Sequence, residues 1–292
     1  MDIHRTLIDA ETLHAHYEDS DWRVIDCRFD LQNAEAGRTA YRAAHIPGAV
    51  YAHLDEDLSG PPVTDAGRHP LPTPDALRAL FGGLGIGERT QVIAYDAAAG
   101  ALAGARLWWL LRYMGHDAVA VLDGGWQAWQ TAGYETSAGE ESVSGVSFRG
   151  QPRAARLVTV DQVPDAELLV DARDPARYRG ESEPLDPVAG HIPGAVNHFW
   201  QQNVDEQGRF LPLETLKERF AQTLGGHAPD DAVFYCGSGV TACHDLLALA
   251  HAGLSARARL YAGSWSDWCR DGSRPVATGE TPGGPLERGR RL

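Results

Sequence analysis

The six residues from His45 to Val50, HIPGAV, recur unchanged as His191 to Val196, 146 positions later. Neighbouring landmarks repeat in the same order. Val24-Ile25-Asp26-Cys27-Arg28 answers to Leu169-Val170-Asp171-Ala172-Arg173, and Val92 to Asp96 answers to Ala232 to Cys236. Leu122-Asp123-Gly124-Gly125-Trp126 answers to Tyr261-Ala262-Gly263-Ser264-Trp265. The chain is a tandem duplication, so any fold assigned to it has to be built twice. A length of 292 residues is ample for two domains.

Within each copy, short apolar runs such as Val24–Cys27, Gln91–Tyr95 and Ala118–Leu122 alternate with helical stretches such as Pro74–Gly82 and Ala101–Met114. Strands separated by helices imply parallel pairing through crossovers, hence an α/β unit with helices flanking a parallel sheet. The copies are expected at 1–140 and 157–292. A Gly-, Ser- and Glu-rich linker is expected at 141–156.

With 26 Lys and Arg against 40 Asp and Glu, the net charge is −14. Such a chain repels nucleic-acid backbones and anionic lipid surfaces. An anionic substrate would need a local cluster of donors set against that field. The four cysteines, Cys27, Cys236, Cys243 and Cys269, form neither a C-x-x-C pair nor a Cys/His metal spacing. No signal peptide is apparent in MDIHRTLIDAETL, and the most apolar stretch, 97–111, is too short to span a bilayer. A soluble cytoplasmic protein with reduced thiols is expected.

A duplication carries its own control. HIPGAV is common to both copies, so His45 and His191 read first as turn residues. The copies differ after the strand that ends in tyrosine. The first continues Asp96-Ala97-Ala98-Ala99-Gly100 and offers no nucleophile, so 1–140 reads as structural. The second continues Cys236-Gly237-Ser238-Gly239-Val240-Thr241-Ala242 into a helical run. Successive N–H groups of such a turn, with the helix N-terminus behind them, form an anion nest that also favours a thiolate. Gly237 and Gly239 permit the backbone angles of the ring, and Ser238 and Thr241 add hydroxyls. Cys27 reads as core filler and Cys243 as helix packing. The residue six after Cys236 is Ala242, where a cysteine phosphatase carries its arginine, so phosphoryl transfer is disfavoured. A smaller anion, such as a sulfane sulfur on the cysteine itself, suits the nest.

These residues closely resemble the two-domain rhodaneses, the thiosulfate and 3-mercaptopyruvate sulfurtransferases, over nearly the whole chain. The resemblance implies a ping-pong transfer in which Cys236 takes the donor's outer sulfur as a persulfide. An acceptor such as cyanide, a small thiol or thioredoxin then removes it, and no metal or organic cofactor takes part. It implies binding of the donor by Arg177 and by the loop residues Gly237, Gly239, Val240, Thr241 and Ala242. The Gly237-Ser238 pair is similar to the 3-mercaptopyruvate type. A second arginine of that type falls near Glu183-Pro184, where this sequence has Leu185, and a first-copy tyrosine is missing near Ala103. The Ser–His–Asp relay of those enzymes is matched by Ser238 and His45, with no aspartate suitably placed before His45. Thiosulfate therefore stays open as donor, and a non-enzymatic persulfide carrier is the rival function.

Overall fold

The computed structural model describes residues 3–63, 66–284 and 286. It divides into two compact units.

Unit 1 contains a five-stranded parallel sheet of β1 (Leu7–Ile8), β2 (Trp22–Asp26), β3 (Val50–Tyr51), β4 (Gln91–Tyr95) and β5 (Val119–Leu122), in the order β1-β5-β4-β2-β3. Helices α1 (Ala10–His16), α2 (Glu35–Ala43), α3 (Pro74–Gly83), α4 (Gly104–Tyr113) and α5 (Gly125–Thr131) connect and flank it. Unit 2 repeats the plan with β6 (Leu157–Val158), β7 (Leu168–Asp171), β8 (Ala195–Asn197), β9 (Ala232–Tyr235) and β10 (Arg259–Tyr261), ordered β6-β10-β9-β7-β8. Its helices are α6 (Pro175–Arg179), α7 (Leu213–Leu224), α8 (Ala242–His251) and α9 (Ser264–Trp268). The central strands β4 and β9 are buried throughout, which is why they read as unbroken apolar runs rather than alternating ones.

The cores are twins. Trp22, Ile93, Tyr95, Trp126 and Trp129 fill one, while Leu169, Val233, Tyr235, Trp265 and Trp268 fill the other. Beside each lies a buried ion pair. The guanidinium of Arg28 bonds Asp26 at 2.6 Å and lies 4.5 Å over Trp126; Arg173 bonds Asp171 at 2.6 Å and lies 4.7 Å over Trp265. Removing one partner of such a pair costs about 3–5 kcal/mol, because the other charge stays buried. The strand ends are thereby fixed, and Ala172 N–H donating to Tyr235 O at 2.9 Å holds the residue just before Cys236.

The histidines of the repeated hexapeptide do the same work in both units. The His45 ring stacks on Tyr41 at 4.3 Å with Nδ1 2.8 Å from Tyr41 O, and the His191 ring stacks on Tyr178 at 3.8 Å with Nδ1 2.8 Å from Tyr178 O.

The compact units do not follow the two halves of the sequence. Unit 1 holds 1–60, 71–153 and 204–210; unit 2 holds 61–70, 154–203 and 211–292. Most of the stretch expected as a linker is packed on unit 1. Phe148 is buried edge-on to Phe81 at 5.1 Å, and Val146 N–H donates to Gly82 O at 2.9 Å. Its Gly/Ser/Glu composition concealed one buried apolar anchor, Phe148, and one backbone anchor at Val146. No helix among the described residues is long and apolar enough to cross a membrane.

Candidate active site

At the end of β9 the chain turns through Cys236–Thr241 into α8. Cys236 is 2% exposed, and its Sγ accepts the Gly239 N–H at 3.2 Å. Gly239 has φ +76, and a Cβ there would meet Ala262 O at 2.4 Å, so conformation and space both demand glycine. The loop is held from outside by Trp265 N–H to Cys236 O and Ser266 N–H to Gly237 O, both 2.9 Å. The Cys243 thiol donates to Gly239 O at 3.4 Å and so braces the loop from α8.

Burial would raise the Cys236 pKa. The Thr241 side chain and the backbone N–H groups of Ser238, Ala242 and Val240 outweigh it, leaving the thiol below its ordinary value. Burial instead pushes Cys269 up to about 11 and Cys27 well above the usual thiol range. Alkylation by iodoacetamide is therefore expected at Cys236 ahead of Cys27 and Cys269. The midpoint of its pH–rate profile should lie below that of an ordinary thiol. Peptide mapping across a pH series checks this; a midpoint at or above 9 would contradict the nest.

The histidine beside the loop is His69, not His45. His69 Nδ1 lies 2.7 Å from Ser238 Oγ, and both residues are buried. His45 lies in unit 1, where its Nδ1 serves the turn at Tyr41. Residues 66–70, which carry His69, are fitted closely into unit 2. A Cβ at Gly67 would meet Gly263 O at 2.4 Å, and Arg68 N–H donates to Ser266 Oγ at 3.0 Å. The repeat contained a signal for this. Gly67-Arg68-His69 in the first copy answers to Gly208-Arg209-Phe210 in the second, and only the first carries a titratable ring.

Ser264 was also missed. It sits at φ +56, unusual for a residue with a Cβ, where its repeat counterpart is Gly125 at φ +54. Its Oγ accepts the Cys236 N–H at 3.2 Å and donates to Tyr261 O at 2.9 Å. The serine thus fixes the Cys236 backbone from the start of α9.

Arg177, on α6, is held by Glu183 through Nε at 3.1 Å and Nη2 at 2.7 Å, and by Asp186 at 3.3 Å. Gly237 brings the backbone close beneath it: a Cβ there would lie 3.4 Å from Arg177 Nη2. The structure thus gathers Cys236, Gly237, Ser238, Gly239, Val240, Thr241, Ala242 and Arg177 in unit 2.

Unit 1 has the same nest, already filled. The Asp96 carboxylate accepts N–H bonds from Ala98 and Gly100, each 2.8 Å, and from Leu102, Ala103 and Gly104 at 3.2, 3.1 and 3.0 Å. A fixed internal carboxylate stands where the second copy places sulfur.

Glu35, His53 and Glu56 bring three potential metal-ligand atoms together in unit 1. Arg38 pairs with both glutamates, however, and His53 accepts the Asp55 and Glu56 N–H groups at Nδ1 while Nε2 donates to Ala34 O. Their donors are committed.

The rhodanese-like domain family matches this chain twice, over residues 9–132 and 157–271. The chain belongs to the rhodanese sulfurtransferase family. This rhodanese is 47% identical to a probable 3-mercaptopyruvate sulfurtransferase of Pseudomonas aeruginosa, over 94% of this chain and 98% of that one. It is 38% identical to a putative thiosulfate sulfurtransferase of Mycobacterium tuberculosis, over 88% and 90% of the two chains. The crystal structure of the 3-mercaptopyruvate sulfurtransferase SseA from Escherichia coli superposes with a TM-score of 0.78 at 30% identity, covering 90% of this chain and all of that one.

Proposed function

We propose that this rhodanese transfers sulfur from 3-mercaptopyruvate to a thiophilic acceptor through a persulfide on Cys236. The observation that carries the reading is a buried thiol whose pKa is lowered by the amides of its own loop, with a Ser238–His69 pair at that loop. The Cys236 thiolate attacks the donor sulfur, and the C3–S bond breaks with its electron pair left on carbon. The donor's thiol proton ends on C3, so pyruvate leaves and Cys236–S–S⁻ remains. His69, through Ser238, is placed to pass that proton. The persulfide anion takes the nest that Asp96 fills in unit 1, with Gly239, Val240, Thr241 and Ala242 around it. Cyanide, a small thiol or thioredoxin then removes the terminal sulfur and returns the thiolate. A nucleophile that has to stay reduced suits the cytoplasm.

The relatives carry both donor names, and thiosulfate enters the same scheme with sulfite as leaving group. Since its sulfite needs no proton on leaving, His69→Ala separates the two. Loss of proton transfer is expected to lower kcat with 3-mercaptopyruvate on the order of 100-fold and to spare thiosulfate. Steady-state transfer to cyanide with both donors measures this. Equal losses would remove His69 from the proton path. One round of sulfur loading without turnover on either donor would mark the protein as a carrier instead.

A further inference from the structure

Arg68 stands beside His69 and forms no part of the reading above. Its guanidinium pairs with Asp186 through Nη1, and Asp186 is nearly buried. Nε and Nη2 make no hydrogen bond within the described residues, and Nη2 lies 2.8 Å from where a Cβ on Gly237 would stand. Arg177 is arranged the same way. Glu183 and Asp186 take its Nε and Nη2, while Nη1 is uncommitted and lies 3.5 Å from the same point. Two guanidinium forks, each anchored on one side by buried carboxylates, therefore turn their open N–H groups to one spot over the residue next to the nucleophile.

Both side chains keep some solvent access, 26% for Arg68 and 17% for Arg177, so an incoming molecule can reach the open sides. Gly237 has no side chain to fill the spot. The anchoring carboxylates set the orientation of the forks in advance, which lowers the ordering cost of binding. Planar forks of this kind match a carboxylate, and two of them turn open N–H donors to one notch while Glu183 and Asp186 balance their charges.

We propose that Arg68 is a second donor-binding residue, and that it and Arg177 together hold the carboxylate of a 2-oxo-3-thio acid with its sulfur at Cys236. The inference rests on the proposed function for the identity of the donor, but the pair of open forks does not.

The test uses the full-length protein and Arg68→Gln, with two pairs of probes. The first pair is iodoacetate and its neutral isostere iodoacetamide, which report on the notch without turnover. Arg68→Gln is expected to lower the iodoacetate-to-iodoacetamide rate ratio at Cys236 by on the order of tenfold. The second pair is 3-mercaptopyruvate and mercaptoacetone, in which a methyl replaces the carboxylate. The KM for 3-mercaptopyruvate should rise on the order of 10- to 100-fold, while mercaptoacetone kinetics stay as in the unsubstituted protein. Arg68→Lys keeps the charge opposite Asp186 and loses the fork, so it should fall between the two and serves where the glutamine variant folds poorly. Equal losses for charged and neutral probes would make Arg68 a structural support of His69 and overturn the proposal, as would no change in either ratio. If the unsubstituted protein turns over neither thiol donor, the proposed function fails on its own, and the alkylation ratio still decides the role of Arg68.

Discussion

Cys236→Ala is expected to abolish sulfur transfer, lowering thiocyanate formation from 3-mercaptopyruvate and cyanide by on the order of 10⁴-fold or more. The expectation follows from how little else at the site could accept sulfur. Cys243 spends its thiol proton on Gly239 O, and burial raises the pKa of Cys27 and Cys269. The amide nest would survive but would have nothing covalent to cradle. Stability should change little. The lost atom is one small sulfur, the backbone donors around it, Gly239 N–H at 3.2 Å among them, belong to a loop held independently by Trp265 and Ser266, and a small core truncation costs about 1 kcal/mol. Circular dichroism and thermal unfolding run beside the assay separate lost chemistry from lost fold. Turnover within tenfold of the unsubstituted protein would contradict the assignment of the nucleophile.

Asp96→Ala should be among the most damaging single substitutions in unit 1, although Asp96 touches no sulfur. Its carboxylate satisfies five backbone N–H groups between Ala98 and Gly104, at the entrance to α4. Burial holds its pKa above the ordinary carboxylate value, and those N–H groups offset part of that rise, so the carboxylate depends on the loop as the loop depends on it. Truncation leaves five donors without an acceptor in a buried loop. A loss on the order of 3–5 kcal/mol is expected, as for breaking a buried charged network. Amide hydrogen exchange localises the effect: protection of Ala98, Gly100, Leu102, Ala103 and Gly104 should collapse. Unchanged protection there would mean that the carboxylate merely fills space. The two loops thus pose one physical problem, an inward ring of N–H groups that needs an anion. The first copy answers it with Asp96, and the second places the Cys236 thiol there.

The duplication made the architecture readable, because HIPGAV, the two Asp-x-Arg strand ends and the two Trp helices each recur with their spacing. Contrast between copies pointed to the loop at 236–242, since Asp96 and Cys236 occupy the same strand end and only one is a nucleophile. The same contrast, carried further, also marks His69 against Phe210 and Ser264 against Gly125. Those pairs were harder to see because neither belongs to a recognisable loop. His69 stands in a Gly/Pro-rich stretch that reads as an ordinary turn, 169 residues from Ser238. Nothing local says that 61–70 packs with the second copy while 204–210 packs with the first. His45 attracted the role because it lies in the repeated motif, yet its Nδ1 and ring face engage Tyr41 just as those of His191 engage Tyr178. A second arginine was sought near Leu185, on the segment that carries Arg177. Arg68 instead reaches Gly237 from a segment that sequence order assigns to the other copy. Over 141–156, composition does not reveal that the Phe148 ring and the Val146 N–H hold the stretch to α3.

The central claim is that Cys236 carries the sulfur between donor and acceptor. Intact-protein mass spectrometry after a brief reaction with stoichiometric 3-mercaptopyruvate, without acceptor, tests it most directly. One added sulfur atom is expected, mapped to the Cys236 peptide, absent from Cys236→Ala, and discharged when cyanide is added. An unmodified Cys236 in a protein that still produces thiocyanate would contradict the account.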